Sequence, residues 1–384
     1  MDRRQFLAAS GLAAAVPAIA GANGSVVDAK AGLFKRTDFT NDGLGLTPRE
    51  YSLLLHEQTA SGELQSDNYS NGGMVAQLEQ KFARLLGKEA AMFVPTGTLA
   101  NHLAVRTLAG NDRRVLVQAE SHLYNDSGDC AQTLSSLNLV PLAEGRATIG
   151  LDEIRRWVER TAHGRVEMKV GAISIETPVR RRDHEAFGFD ELQRVCGYAR
   201  GQGIRLHLDG ARLFNLPYHS GKSVQQYAAL FDSVYVSLWK HFNGMSGAIL
   251  AGDASFINGL FHARRMFGGS LPHAWPQVAL VANYADGYER EYARAWEAAD
   301  RLIELLRAGG RYQVRKVENG TSKFFLSTAG LALEVLADRA LKEDMVLPAG
   351  PPGAVELGLQ VNATLLRRTP EALALAFTRL LQVP

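Results

Sequence analysis

Cysteine, net charge and long apolar runs are all scarce in this 384-residue chain. Its two cysteines, Cys130 and Cys196, can build neither a disulfide framework nor a cysteine-rich zinc site. Both read as buried thiols. Lys and Arg total 42 against 40 Asp and Glu, a formal net charge of +2. That balance argues against a broad basic surface for nucleic acid. His102, His262 and His273 share no ligand spacing of a helix or strand, so no metal site is expected. After the N-terminal stretch no segment is apolar enough to span a membrane. Hydrophobic residues at 46% and charged ones at 21% are ordinary for a globular protein. At about 150 residues per domain, the length suggests two domains.

What is present begins with an export-like N-terminus. Met1-Asp-Arg-Arg-Gln-Phe-Leu7 is a short positive segment, and an uncharged Ala-rich run follows from Phe6 to Ala20. Ala18-Ile19-Ala20 supplies a small-x-small cleavage pattern. The run is shorter than the roughly 20 residues a spanning helix needs, so it reads as a cleavable signal over residues 1–20. Arg3-Arg4 with Gln-Phe-Leu resembles a bacterial twin-arginine signal, which predicts a periplasmic or secreted protein. Residues 21–45 are rich in Gly, Ala, Asn and Asp and read as an extended arm.

Helices and strands then alternate, which predicts an α/β architecture. Val75, Leu78, Phe82 and Leu86 recur at helical spacing, and Gly87 is placed to stop that helix. Short apolar runs at 90–94, 115–117, 137–142 and 170–175 read as buried strands. Two later strands alternate apolar and polar residues: 204–208, leading to Asp209, and 234–238, leading to Lys240. Strand C-terminal ends are where open α/β sheets bind ligands. The expected division is a large domain over 46–290 and a small α+β domain over 291–384, closed by a helix with Thr369 as N-cap and Pro370 first.

Four segments carry groups with chemistry to offer. Pro95-Thr96-Gly97-Thr98 follows a strand and opens a helix, so free N–H groups and two hydroxyls can hold a phosphate. His207-Leu-Asp209-Gly-Ala-Arg212 places a carboxylate at a strand end and a guanidinium three residues on. Ser237-Leu-Trp239-Lys240-His241 places a lysine where burial would lower its pKa and fit it for a Schiff base. Glu120-Ser121-His122 offers an imidazole. Singly, each is also an ordinary cap, ion pair or surface residue.

In combination the motifs resemble the threonine aldolase and β-eliminating lyase group of fold type I pyridoxal-phosphate (PLP) enzymes. The most specific pieces are 87–101, His207 to Asn215, and Phe231 to Lys240, with 31 residues from Asp209 to Lys240. The resemblance implies a mostly parallel sheet flanked by helices, a small C-terminal domain, and a homodimer or homotetramer. It implies PLP on Lys240, Asp209 paired with the ring nitrogen, and His122 stacked on the ring as first choice of base. Thr96, Gly97 and Thr98 would take the phosphate, with Ser237 and Arg212 also at the cofactor. Thr37, Asp38 and Arg212 would meet the substrate. The implied reaction cleaves the Cα–Cβ bond of a threonine-like β-hydroxy-α-amino acid to glycine and an aldehyde. The alternatives are β-elimination, transamination, or a silent binding protein on the same fold.

The chain also departs from the group. Trp239 and His241 flank the lysine where Ser and Gly are usual, and Glu176-Thr177 stands for Glu-Asn. Gly268-Gly269-Ser270 lacks the usual Arg that follows. By position Glu356 replaces an Arg that clamps the substrate carboxylate, leaving Arg367 or Arg368 as stand-ins. An anion there would repel a carboxylate.

Overall fold

Buried apolar strands in the middle of the chain assemble into one seven-stranded sheet in a computed structural model, which describes residues 32–60, 62–328, 332–350 and 353–382. The signal and residues 21–31 of the arm lie outside the described residues. After a two-residue strand β1 (Thr37–Asp38), the sheet strands are β2 (Ala90–Val94), β3 (Arg114–Gln118), β4 (Asn138–Leu142), β5 (Val170–Glu176), β6 (Arg205–Asp209), β7 (Ser233–Ser237) and β8 (Ala248–Gly252). Their spatial order is β2-β8-β7-β6-β5-β3-β4. β4, β3, β5, β6 and β7 run parallel, and β8 is antiparallel to both β7 and β2. Every residue of β5, β7 and β8 is buried, as expected where helices cover both faces.

The covering helices follow from the apolar spacing. Gly73–Leu86 buries Val75, Leu78, Phe82 and Leu86, and Gly87 ends it at φ 62°. That left-handed geometry suits glycine and closes the last turn. Phe189–Gly201 buries Leu192, Val195, Cys196 and Ala199. Cys130, expected to be buried, is only half-buried at the start of a six-residue helix.

A second core lies around the Tyr288–Ala308 helix, which packs against the closing Pro370–Leu380 helix. Thr369 caps that last helix through its side chain, with Pro370 at its start, as expected. Three antiparallel strands, β9 (Tyr312–Lys316), β10 (Lys323–Thr328) and β12 (Leu357–Gln360), lie beside it. β11 (Met345–Val346) pairs in parallel with β1. The end of the arm is thus tied to the C-terminal part, and Phe39 is fully buried in that core. A two-residue strand is too short to show periodicity, which is why the sequence reads as aperiodic there. Among the described residues, no helix is long and apolar enough to cross a membrane.

Candidate active site

The C-terminal edge of the parallel strands carries two cavities that meet at Lys240. The deeper, of about 210 Å³, is lined by Thr96, Gly97, Thr98, His122, Asp209 and Lys240, among others. The outer, of about 500 Å³, is lined by Asp42, Tyr51, Trp239, Lys240 and Met245, among others. Lys240 and Trp239 line both.

Local sequence explains each placement. β2 ends at Val94, and Thr96 caps the next helix by accepting the Leu99 N–H at 3.2 Å. The helix Gly97–Ala109 therefore opens into the deeper cavity with its first N–H groups uncommitted. Gly97 is required there, because a Cβ would collide with the Tyr235 hydroxyl. β6 ends on Asp209, whose Oδ1 accepts the Ala211 N–H at 3.1 Å and whose Oδ2 accepts Asn101 Nδ2 at 2.6 Å. β7 ends at Ser237, and one helical turn, Leu238–His241, turns Lys240 inward. Burial, helped by the Arg212 charge, pulls the Lys240 ammonium down to about 8.

Other charged groups complete the site. Glu176 ends β5, buried, and accepts the backbone N–H of His122 at 2.6 Å and of Arg180 at 2.8 Å. Burial and the nearby Asp209 charge push its carboxyl up to about 7. His122 is thereby held at its main chain, and its Nδ1 lies 3.3 Å from Ser127 Oγ. Burial lowers the His122 imidazole, which favours the neutral base. Arg212 makes a two-point ion pair with Asp42, Nε to Oδ1 at 2.7 Å and Nη2 to Oδ2 at 2.8 Å. Both side chains are buried, and the guanidinium holds Asp42 far below the usual carboxylate range despite its burial.

The structure thus brings together Thr96, Gly97, Thr98, His122, Asp209, Arg212 and Lys240. It does not bring the remaining predicted residues to the cavities. Ser237 sits at the strand end but lines neither. Thr37 and Asp38 line neither, because β1 is tied to β11 and the Asp38 carboxylate accepts from Thr40 and Asn41. The arm residue that reaches Arg212 is Asp42, four positions further on. Glu356 is not a cavity residue either: it pairs with Arg315 at 2.8 Å on the surface. The β12 side chain that reaches the site is Gln360, whose Nε2 lies 3.3 Å from Asp42 Oδ1. Of the two stand-ins, Arg367 donates to the Arg36 carbonyl and Arg368 to that of Glu343.

Asp42, Asn101, Arg180 and Tyr235 were not legible as site residues. Asn101 lies within the Pro95–Asn101 segment, one turn past the phosphate-binding threonines, and that spacing is its signal. Asp42 carries no local pattern.

The groups present fit pyridoxal phosphate. A helix N-terminus with two threonines suits its phosphate, Asp209 keeps acceptor capacity for a ring N–H, and a desolvated lysine suits covalent attachment.

A profile of the beta-eliminating lyase family matches residues 54–327, and the chain belongs to that family. It is a PLP-dependent lyase of the fold type I class. It is similar to the low-specificity L-threonine aldolase of Saccharomyces cerevisiae, at 27% identity over 78% of this chain and 77% of the relative. Its fold is similar to that of a protein from Exiguobacterium sp. 255-15 described as an aromatic amino acid beta-eliminating lyase/threonine aldolase. The TM-score there is 0.76 at 26% identity, covering 92% of this chain and 98% of that one. A protein from Listeria monocytogenes described as an L-allo-threonine aldolase gives 0.75 at 28% identity, with the same coverage.

Proposed function

We propose that the chain is an aldolase-like lyase that cleaves the Cα–Cβ bond of a β-hydroxy-α-amino acid, releasing glycine and an aldehyde. The observation that carries this reading is the placement of Lys240, desolvated and shared by both cavities, with Asp209 and His122 in the deeper one. When bound, pyridoxal phosphate supplies the electron sink for bond cleavage at Cα.

The chain's own residues supply the rest. Thr96, Gly97 and Thr98 take the phosphate at the helix N-terminus. Asp209 accepts the ring N–H. With its ammonium pulled down to about 8, Lys240 has a far larger neutral fraction near neutral pH than a free lysine, which suits it to hold the cofactor covalently. His122, a neutral imidazole held at its main chain by Glu176, is the group to take the β-hydroxyl proton. Arg180 also lines the deeper cavity and shares Asp126 with Arg181, two cations on one carboxylate. That leaves positive charge for the substrate carboxylate, a task Arg212 shares only after Asp42 has neutralised much of its charge. Leu46, Pro48, Tyr51, Trp239 and Met245 give the outer cavity an apolar side, which favours a bulky apolar β-substituent.

Export to the periplasm or medium is part of the proposal and rests on the Arg3-Arg4 segment and the Ala-rich run behind it. So is assembly as a homodimer or homotetramer, which rests on the family and is read by light scattering. Product analysis tests the activity. With threonine and a phenylserine, glycine and an aldehyde support the reading; ammonia and a keto acid assign β-elimination instead.

A further inference from the structure

Asp209 ends a row whose other members, hydrogen-bonded polar side chains, line neither cavity and are not used by the reaction above. Asn101 donates from Nδ2 to Asp209 Oδ2 at 2.6 Å. His207 Nε2 lies 2.8 Å from Asn101 Oδ1, and His207 Nδ1 lies 2.8 Å from Ser233 Oγ. Asn101, His207 and Ser233 are wholly buried, and Asp209 is 3% exposed. The topology makes the row. His207 and Asp209 stand two apart on β6 and so share a face. Asn101 comes from the helix Gly97–Ala109 packed on the sheet and bridges the two, while Ser233 begins the neighbouring strand β7.

We propose that Ser233, His207 and Asn101 form a buried orienting relay that ends on Asp209 and keeps this carboxylate aimed at the cofactor's ring nitrogen as an acceptor. The polarity of each link follows from the one before it. A carboxylate accepts only, so Asn101 must present its NH₂ to Asp209 and its oxygen to His207. His207 must then carry its proton on Nε2. Burial pushes the His207 imidazole down to about 4, so it is neutral and Nδ1 is an acceptor. The Ser233 hydroxyl must therefore donate to Nδ1. Two residues that line neither cavity, Ser233 and His207, thus back the orientation of the Asn101 amide that Asp209 requires. If the Ser233 donor is lost, His207 is free to move its proton to Nδ1. Asn101 is then free to flip and set its oxygen against the carboxylate. These are positioning residues, acting on the cofactor through Asp209.

The relay rests on the cofactor reading, but its first test needs no cofactor. The ¹⁵N spectrum of histidine-labelled, cofactor-free protein is expected to show His207 as the neutral Nε2–H form. Its nitrogens are identified as those that Ser233→Ala displaces. The Nδ1–H form, an imidazolium, or a spectrum unmoved by Ser233→Ala overturns the relay while leaving PLP binding untouched. The second test is PLP affinity measured by titration. Ser233→Ala is expected to weaken it roughly tenfold, the scale of one hydrogen bond, and Ser233→Thr to restore it. Unchanged affinity in Ser233→Ala, or equal loss in the Thr variant that keeps the hydroxyl, overturns the proposal.

Discussion

The two walls that meet at Lys240 differ in how far their groups are committed. Behind the lysine, Asp209, Asn101, His207 and Ser233 are buried and hydrogen-bonded to one another on strands and a helix. In front of it, Trp239 is 50% exposed on the single helical turn that carries Lys240, and Met245 is 58% exposed on an irregular segment. The rear wall has one arrangement, enforced by neighbours, and suits a resident cofactor. The front wall can change residue by residue without disturbing the sheet, and suits the choice of substrate.

Substitutions on the two walls should therefore separate cofactor effects from substrate effects. Lys240→Ala is expected to remove the near-visible absorption of PLP-loaded protein and to lower kcat by at least about a thousandfold. Retention of either would break the assignment of the rear wall. Gly97→Ala forces a Cβ against the Tyr235 hydroxyl. Overpacking of this kind costs about 1–3 kcal/mol, to be seen as a lower Tm together with weaker PLP binding. Full PLP affinity in that variant would mean the helix N-terminus does not hold the phosphate.

The third expectation concerns pH. Lys240 titrates below its ordinary value, at about 8, so its neutral amine accumulates as pH rises through that value. The rate of PLP capture by cofactor-free protein should rise to a plateau with that midpoint. A rise that continues toward the value of a free lysine, about 10.4, would show Lys240 is not desolvated. The smallest effect is expected in front. Trp239→Ala should leave the absorption band in place and shift KM for phenylserine several-fold against that for threonine, since one apolar contact is worth about 1–3 kcal/mol. A lost band would place Trp239 with the rear wall.

The same division explains what the sequence made legible. Asp209, Lys240, His122 and the Thr96–Thr98 turn sit at or beside the ends of strands whose apolar runs are plain in the chain. Asp42 pairs with Arg212 across 170 positions, a contact set by tertiary packing with no periodic trace. Thr37 and Asp38 were expected at the substrate from the family resemblance, yet the short pairing of β1 with β11 leaves them outside the cavities. Glu356 looked like a charge reversal in the site; its partner Arg315 holds it on the surface instead.

The central claim is that Lys240 carries the cofactor. Borohydride reduction of PLP-loaded protein followed by peptide mass mapping tests it most directly. The account predicts a pyridoxyl adduct on the peptide containing Lys240. Lys88 is also lowered by burial, but its Nζ is held by the Phe231 carbonyl at 2.6 Å and lines neither cavity. An adduct on Lys88 or any other lysine, with Lys240 unmodified, would contradict the account.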